Sequence, residues 1–121
     1  MQAKLSKENQ TLAQIDPQTS QIIQSFAHDT KRMLKDNVIA EYLFGSYAKQ
    51  THTHPSDIDI LIIVKQTSYE LQWQMGGLAS EYSLKHQVCL SPILQDFQNW
   101  KKHQRYDTLF YQEITKYGIQ L

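Results

Sequence analysis

The chain has 121 residues, enough for one hydrophobic core and too few for two. Lysine plus arginine and aspartate plus glutamate number 12 each, so no overall charge draws it to nucleic acid or an anionic membrane, and any charged partner must be met locally. A single cysteine excludes an internal disulfide, the opening MQAKLSKENQ has no signal-type apolar stretch, and no run approaches the roughly 20 apolar residues of a membrane helix, so a cytoplasmic protein without membrane contact is expected.

In chain order, residues 1–19 are polar and glutamine-rich with scattered Leu5, Leu12 and Ile15, which suits a polar N-terminal arm or short helix. Residues 20–121 read as a single domain. From Pro17, Ile22, Ile23, Phe26, Ala27, Thr30, Met33 and Leu34 recur at helical spacing, with charged and amide residues between them, predicting an amphipathic helix ended by Asp36-Asn37. Val38 to Phe44 is rich enough in Val, Ile, Tyr and Phe to be a strand stopped by Gly45.

After a polar loop, DIDILIIV is apolar on both faces beyond its two aspartates, the pattern of a central strand covered on each side. Residues 68–86 place Leu71, Met75, Leu78, Ala79 and Tyr82 at helical intervals around a soft point at Gly76-Gly77. QVCLSPIL predicts a third strand, and Pro92 favours an edge position or a bulge. The tail reads as one or two helices, the last from about Tyr106 to Tyr117 and stopped by Gly118. The order helix, strand, strand, helix, strand, helix is that of a small α/β (α+β) domain, a mixed β-sheet flanked by helices.

The chemistry concentrates in GSYAKQTHTHPSDID, residues 45–59, where Gly-Ser stands ten residues ahead of Asp-x-Asp. On a strand, Asp57 and Asp59 share one face about 7 Å apart. Two carboxylates on the flank of an apolar strand repel each other and resist burial, and the usual remedy is a hard cation such as Mg²⁺ with phosphates completing its shell. Gly45 permits close backbone approach, and Ser46 opens a short helix whose amides and hydroxyl suit phosphate oxygens. Four fixed positions at this spacing would arise by chance roughly once in a thousand chains of this length.

Leu43 to Lys49 followed by Ser56-Asp57-Ile58-Asp59-Ile60 resembles the signature of the minimal nucleotidyltransferase (MNT) domains of the DNA polymerase beta superfamily. Ser91-Pro92-Ile93 and the run from Phe110 to Ile119 extend the likeness over roughly residues 20–121. The resemblance implies transfer of a nucleoside monophosphate, AMP from ATP being the leading case, with Mg²⁺ held by Asp57 and Asp59. Gly45, Ser46 and Lys49 would hold the nucleotide's phosphates.

Small free-standing domains of this type resemble the antitoxin of HEPN/MNT toxin-antitoxin pairs, which implies AMP transfer onto a tyrosine of a partner HEPN-type toxin. Two alternatives remain: a binding module that neutralises a partner by contact alone, and transfer to RNA or a small molecule. The chain departs from the family pattern where relatives carry a third carboxylate on the neighbouring strand: here Val88–Ser91 holds Cys89, so that acid would come from Glu81, Asp96 or a partner. Lys49 for the usual arginine and Gln50 for glycine are smaller departures.

Other residues invite plainer readings. His52 and His54 suit a solvated loop, Cys89 a small buried hydrophobe, and Lys101, Lys102, His103 and Arg105 a solvated helix face that could steer NTP or RNA. Trp73, Phe97 and Phe110 are expected to fill core or interface space. An oligomer is compatible with all of this.

Overall fold

The computed structural model describes residues 11–53 and 56–121, so the first ten positions of the expected arm, and His54 of the histidine pair, lie outside the described residues. After a single turn at Leu12–Gln14, helix α1 spans Pro17–Leu34. Pro17 stands in its first turn, where a missing N–H removes no helical bond, and the Asp16 side chain caps it by accepting from the Thr19 amide at 2.9 Å. Ile22, Ile23, Phe26, Ala27, Thr30 and Leu34 are buried as the periodicity predicts, whereas Met33 sits at the margin of the stripe and is 38% exposed. The core also takes in Ile15, ahead of the helix, with Leu12 packed against it.

Strand β1 (Val38–Phe44) leads to a one-turn helix α2 (Ser46–Lys49) and then to β2 (Asp57–Val64). Helix α3 (Tyr69–His86) carries the chain over to β3 (Cys89–Asp96), and helices α4 (Phe97–Arg105) and α5 (Leu109–Tyr117) precede a two-residue strand β4 (Ile119–Gln120). The sheet order is β3-β2-β1-β4, with β2 parallel to β3 and antiparallel to β1, and β4 antiparallel to β1. The apolar run of β2 is therefore central and buried, and the strand carrying Pro92 lies at an edge, where a missing N–H disrupts least.

Two expectations need adjusting. The last helix starts at Leu109 rather than near Tyr106, because Thr108 caps it by accepting from the Tyr111 amide, and Asp107 adopts a positive φ of 48° that ends α4. Strand β4, which two residues cannot announce by periodicity, pairs Ile119 with Leu43 and Gln120 with Tyr42.

Period-two alternation on β2 divides the interior. Ile58, Ile60, Ile62 and Val64 face α1 and α3 and join Phe26, Leu43, Met75, Ala79 and Leu90 in the larger core. Leu61 and Ile63 face the other way, packing with Phe44 and with Ile114 of α5 in a smaller cluster flanked by Trp100 and Phe110. Asp57 and Asp59 share the parity of Leu61 and Ile63, so the carboxylates stand on the α4–α5 side, at the border of that smaller core, where Asp59 pairs with Phe44. Among the described residues no helix is long and apolar enough to cross a membrane.

Candidate active site

Strand register brings the two halves of GSYAKQTHTHPSDID together. Phe44 pairs with Asp59, so the chain leaves β1 at Gly45 directly beside the second aspartate. Gly45 has φ +77°, a left-handed conformation that side-chain-bearing residues rarely adopt, and a Cβ there would collide with Asp59 Oδ2. Both constraints select glycine. Ser46 then opens α2, whose first amides have no intrahelical acceptor and are left free at the start of the helix. Gln50, in the left-handed region at φ 60°, closes α2 and donates its backbone N–H to the Tyr47 carbonyl.

Asp57 is exposed and Asp59 half-buried. Burial pushes the Asp59 carboxyl above the usual range, and the charges of Asp57 and Glu113 push it further in the same direction. A pair of carboxylates in mutual repulsion, one partly desolvated and lying against Gly45 where a Cβ would stand, is a donor set of hard oxygens that fits Mg²⁺. Among the described residues no group of three or more His, Cys, Asp or Glu side chains is arranged to hold a metal, so the remaining ligands would be water and phosphate.

The neighbouring strand places Cys89 opposite Asp57 and Ser91 opposite Asp59. Cys89 is exposed, not the small buried hydrophobe its residue type suggests, because position 89 begins an edge strand. A hydrogen bond to Asp57 pushes its thiol up, with burial and the charges of both aspartates acting in the same direction. Neither acid considered as a replacement reaches this end. Asp96 pairs with Val64 at the far end of β3, about 23 Å away at strand rise, and caps α4 by accepting from the Asn99 amide. Glu81 lines a groove with Asp29, Tyr82 and His86 between α1 and α3, across the sheet.

The acid that does approach is Glu113 of α5, which sequence reasoning did not single out. Its Oε1 lies 3.3 Å from Lys49 Nζ, and that ammonium also stands 5.4 Å above the Tyr117 ring. A Lys and a Glu separated by 64 positions carry no local signal, and only the packing of α5 on the sheet brings them together. His52 is not a solvated loop residue: its ring stacks on Tyr47 at 3.9 Å and 13°. Trp73 is 75% exposed on α3 and fills no core, while Phe110 packs edge-on against Phe44. Lys101, Lys102 and Arg105 lie exposed on α4, as a solvated face would.

The family model described as polymerase beta, nucleotidyltransferase matches residues 21–121. A relative from Methanocaldococcus jannaschii, MJ0141, named as a candidate protein adenylyltransferase, is 38% identical over 103 residues, covering 84% of this chain and 96% of the relative. A second from the same organism, MJ1305, named likewise, is 30% identical over 76 residues, 60% of this chain and 52% of that one. Among solved structures, a toxin-antitoxin complex with AMP-PNP superposes with a TM-score of 0.52 at 21% identity, covering 79% of this chain and 69% of that chain, a likeness of fold. The chain belongs to the polymerase beta nucleotidyltransferase family.

Proposed function

We propose that this protein transfers AMP from ATP to a hydroxyl of a partner protein, a tyrosine of a HEPN-type toxin, and so acts as an antitoxin. The observation that carries the chemistry is the register that sets Asp57 and Asp59 on one face and the φ +77° turn of Gly45 against Asp59. The relationship to a candidate protein adenylyltransferase covering nearly all of that relative supports a protein acceptor.

In this reading Asp57 and Asp59 hold Mg²⁺, which when bound supplies a Lewis acid for the α-phosphate and the leaving pyrophosphate. Gly45 lets the Asp59 carboxylate lie close against the strand end, and the Ser46 hydroxyl and the free amides of α2 donate to phosphate oxygens. Lys49 adds a positive charge to the β- and γ-phosphates. The acceptor oxygen bonds to the α-phosphorus, the bond from phosphorus to the bridging oxygen of pyrophosphate breaks, and the hydroxyl proton leaves to solvent or to a carboxylate of the site.

A second reading is favoured by one observation: the position paired with Asp57, on the strand where the resemblance implies a third carboxylate, is a cysteine. There the domain binds and masks the toxin by contact, with little or no transfer. The test is incubation with α-labelled ATP, Mg²⁺ and the candidate toxin, beside Asp57→Ala/Asp59→Ala. Label on the toxin that disappears in the double variant supports transfer; inhibition of the toxin without label by both proteins supports masking. Label appearing on RNA or a small molecule instead moves the acceptor and keeps the chemistry.

A further inference from the structure

Lys49 is already engaged in this structure. Its ammonium lies between two groups one helical turn apart on α5, the Glu113 carboxylate at 3.3 Å and the Tyr117 ring at 5.4 Å. The Lys49 and Glu113 side chains are each 34% exposed, so the pair is a weak, solvated one that can break. Lys49 is also only three residues past Ser46 on one helical turn, about 4.5 Å of rise, well within the reach of its four-carbon stem. A polyphosphate seated at Gly45 and Ser46 thus competes with Glu113 for the same ammonium, and its greater charge favours the phosphate.

We propose that Glu113 is a positioning residue of the phosphate grip: it holds Lys49 over Tyr117 while no polyphosphate is bound, yields it to the β- and γ-phosphates when nucleotide enters, and reclaims it as pyrophosphate leaves. This rests on the nucleotidyl-transfer reading of the site. Glu113 weakens the grip by design of its charge: paired with Lys49 it neutralises the cation, and near Asp59 it adds a third negative charge to the site. Its benefit lies in release, because a site that bound both nucleotide and pyrophosphate through an uncontested lysine would retain its product.

The test needs no acceptor. Calorimetry measures binding of Mg²⁺-pyrophosphate and Mg²⁺-AMP-PNP to the wild type, Glu113→Gln, Lys49→Met and the double variant, with circular dichroism confirming that each is folded. Glu113→Gln should bind pyrophosphate about three- to fivefold more tightly, the range that a surface ion pair can supply. Lys49→Met should bind it more weakly, and in the Lys49→Met background Glu113→Gln should lose most of its tightening. Unchanged or weaker binding by Glu113→Gln overturns the proposal. So does equal tightening with and without Lys49, which would make Glu113 a source of diffuse repulsion only, and so does a folded wild type that binds neither ligand. A wild type that binds pyrophosphate but labels no acceptor overturns the transferase reading instead, and the four affinities still decide the role of Glu113.

Discussion

The two faces of the sheet are made by the same alternation along β2 and serve different ends. Toward α1 and α3, buried side chains from all four strands form a closed core. Toward α4 and α5, the buried cluster is the smaller set Phe44, Leu61, Ile63 and Ile114, and it ends at Phe44, which pairs with Asp59 at the strand end. An acid on each face makes the contrast concrete, because burial pushes both Glu41 and Asp59 above the usual carboxyl range.

Glu41 is 1% exposed and lies 2.6 Å from the Thr30 hydroxyl, which is itself 2.9 Å from the Ala27 carbonyl oxygen. A hydroxyl has one proton to donate. If it goes to Ala27, the short contact to Glu41 is satisfied by a proton on the carboxyl, so the neutral acid completes a chain from Glu41 through Thr30 to the backbone. The second carboxyl oxygen has no hydrogen-bond partner among the described residues, a further reason for the group to be uncharged. Asp59 has no such partner among the described residues; it is raised by burial and by the charges of Asp57 and Glu113 at an open strand end, where a cation would relieve the repulsion. One acid is absorbed into the fold, and the other is left in repulsion at the candidate site.

The largest effect is expected on the open face. Asp59→Asn should lower labelling of the acceptor by about a thousandfold or more, as for loss of a metal ligand, while raising the melting temperature. The sign follows from the raised pKa: ionised Asp59 opposes folding, its stabilising neutral form being lost as pH rises from its ordinary value near 3.8 through the folded value. An Asp59→Asn protein that melts lower than wild type at pH 7 would break the contrast. Gly45→Ala should come next. Positive φ and the collision with Asp59 together predict a loss of about 1–3 kcal/mol in urea unfolding, with nucleotide affinity falling alongside.

On the closed face, Glu41→Ala should destabilise by about 2–4 kcal/mol by leaving a cavity and removing one of the two partners of the Thr30 hydroxyl, whereas Glu41→Gln should stay within about 1 kcal/mol because it keeps shape and hydrogen bonding. Its pH signature runs the same way as that of Asp59. The contribution of Glu41 is fully present below its unfolded value near 4.5 and is lost as pH rises through the raised folded value, so Glu41→Gln should flatten the decline of stability between those two values.

The smallest effect belongs to Gly76 and Gly77 in α3, where an added Cβ meets nothing within 4 Å. Each change to alanine should raise stability by about 1 kcal/mol in chemical denaturation and leave nucleotide affinity unchanged. A loss of stability at either position would show that the helix needs its glycines for a reason its own packing does not supply.

Most of the architecture was legible because it is written in periods. Three- and four-residue recurrence marked α1 and α3, the unbroken apolar run of β2 marked a strand covered on both faces, and Pro92 marked an edge. The grouping of Gly45, Ser46, Asp57 and Asp59 was legible from spacing alone, since the glycine ends one strand and the aspartates open its neighbour, so pairing leaves them little freedom to be apart. Helix α5 starts three residues later than its apolar pattern suggested, because the cap at Thr108 and the positive φ of Asp107 set its start rather than hydrophobicity.

What tertiary structure alone decided is the company these residues keep. Glu113 reaches Lys49 only because α5 packs across the face that carries Leu61 and Ile63, and Asp96 and Glu81 are excluded because strand register and helix placement send them to the far end and the opposite side. Cys89 is exposed because its strand has a neighbour on one side only. Sequence by itself determined the elements and the motif, since both follow from interactions between positions near in the chain or forced together by adjacent strands. The third acid and the partner of Lys49 depend on contacts between distant segments, for which a single sequence holds no local record.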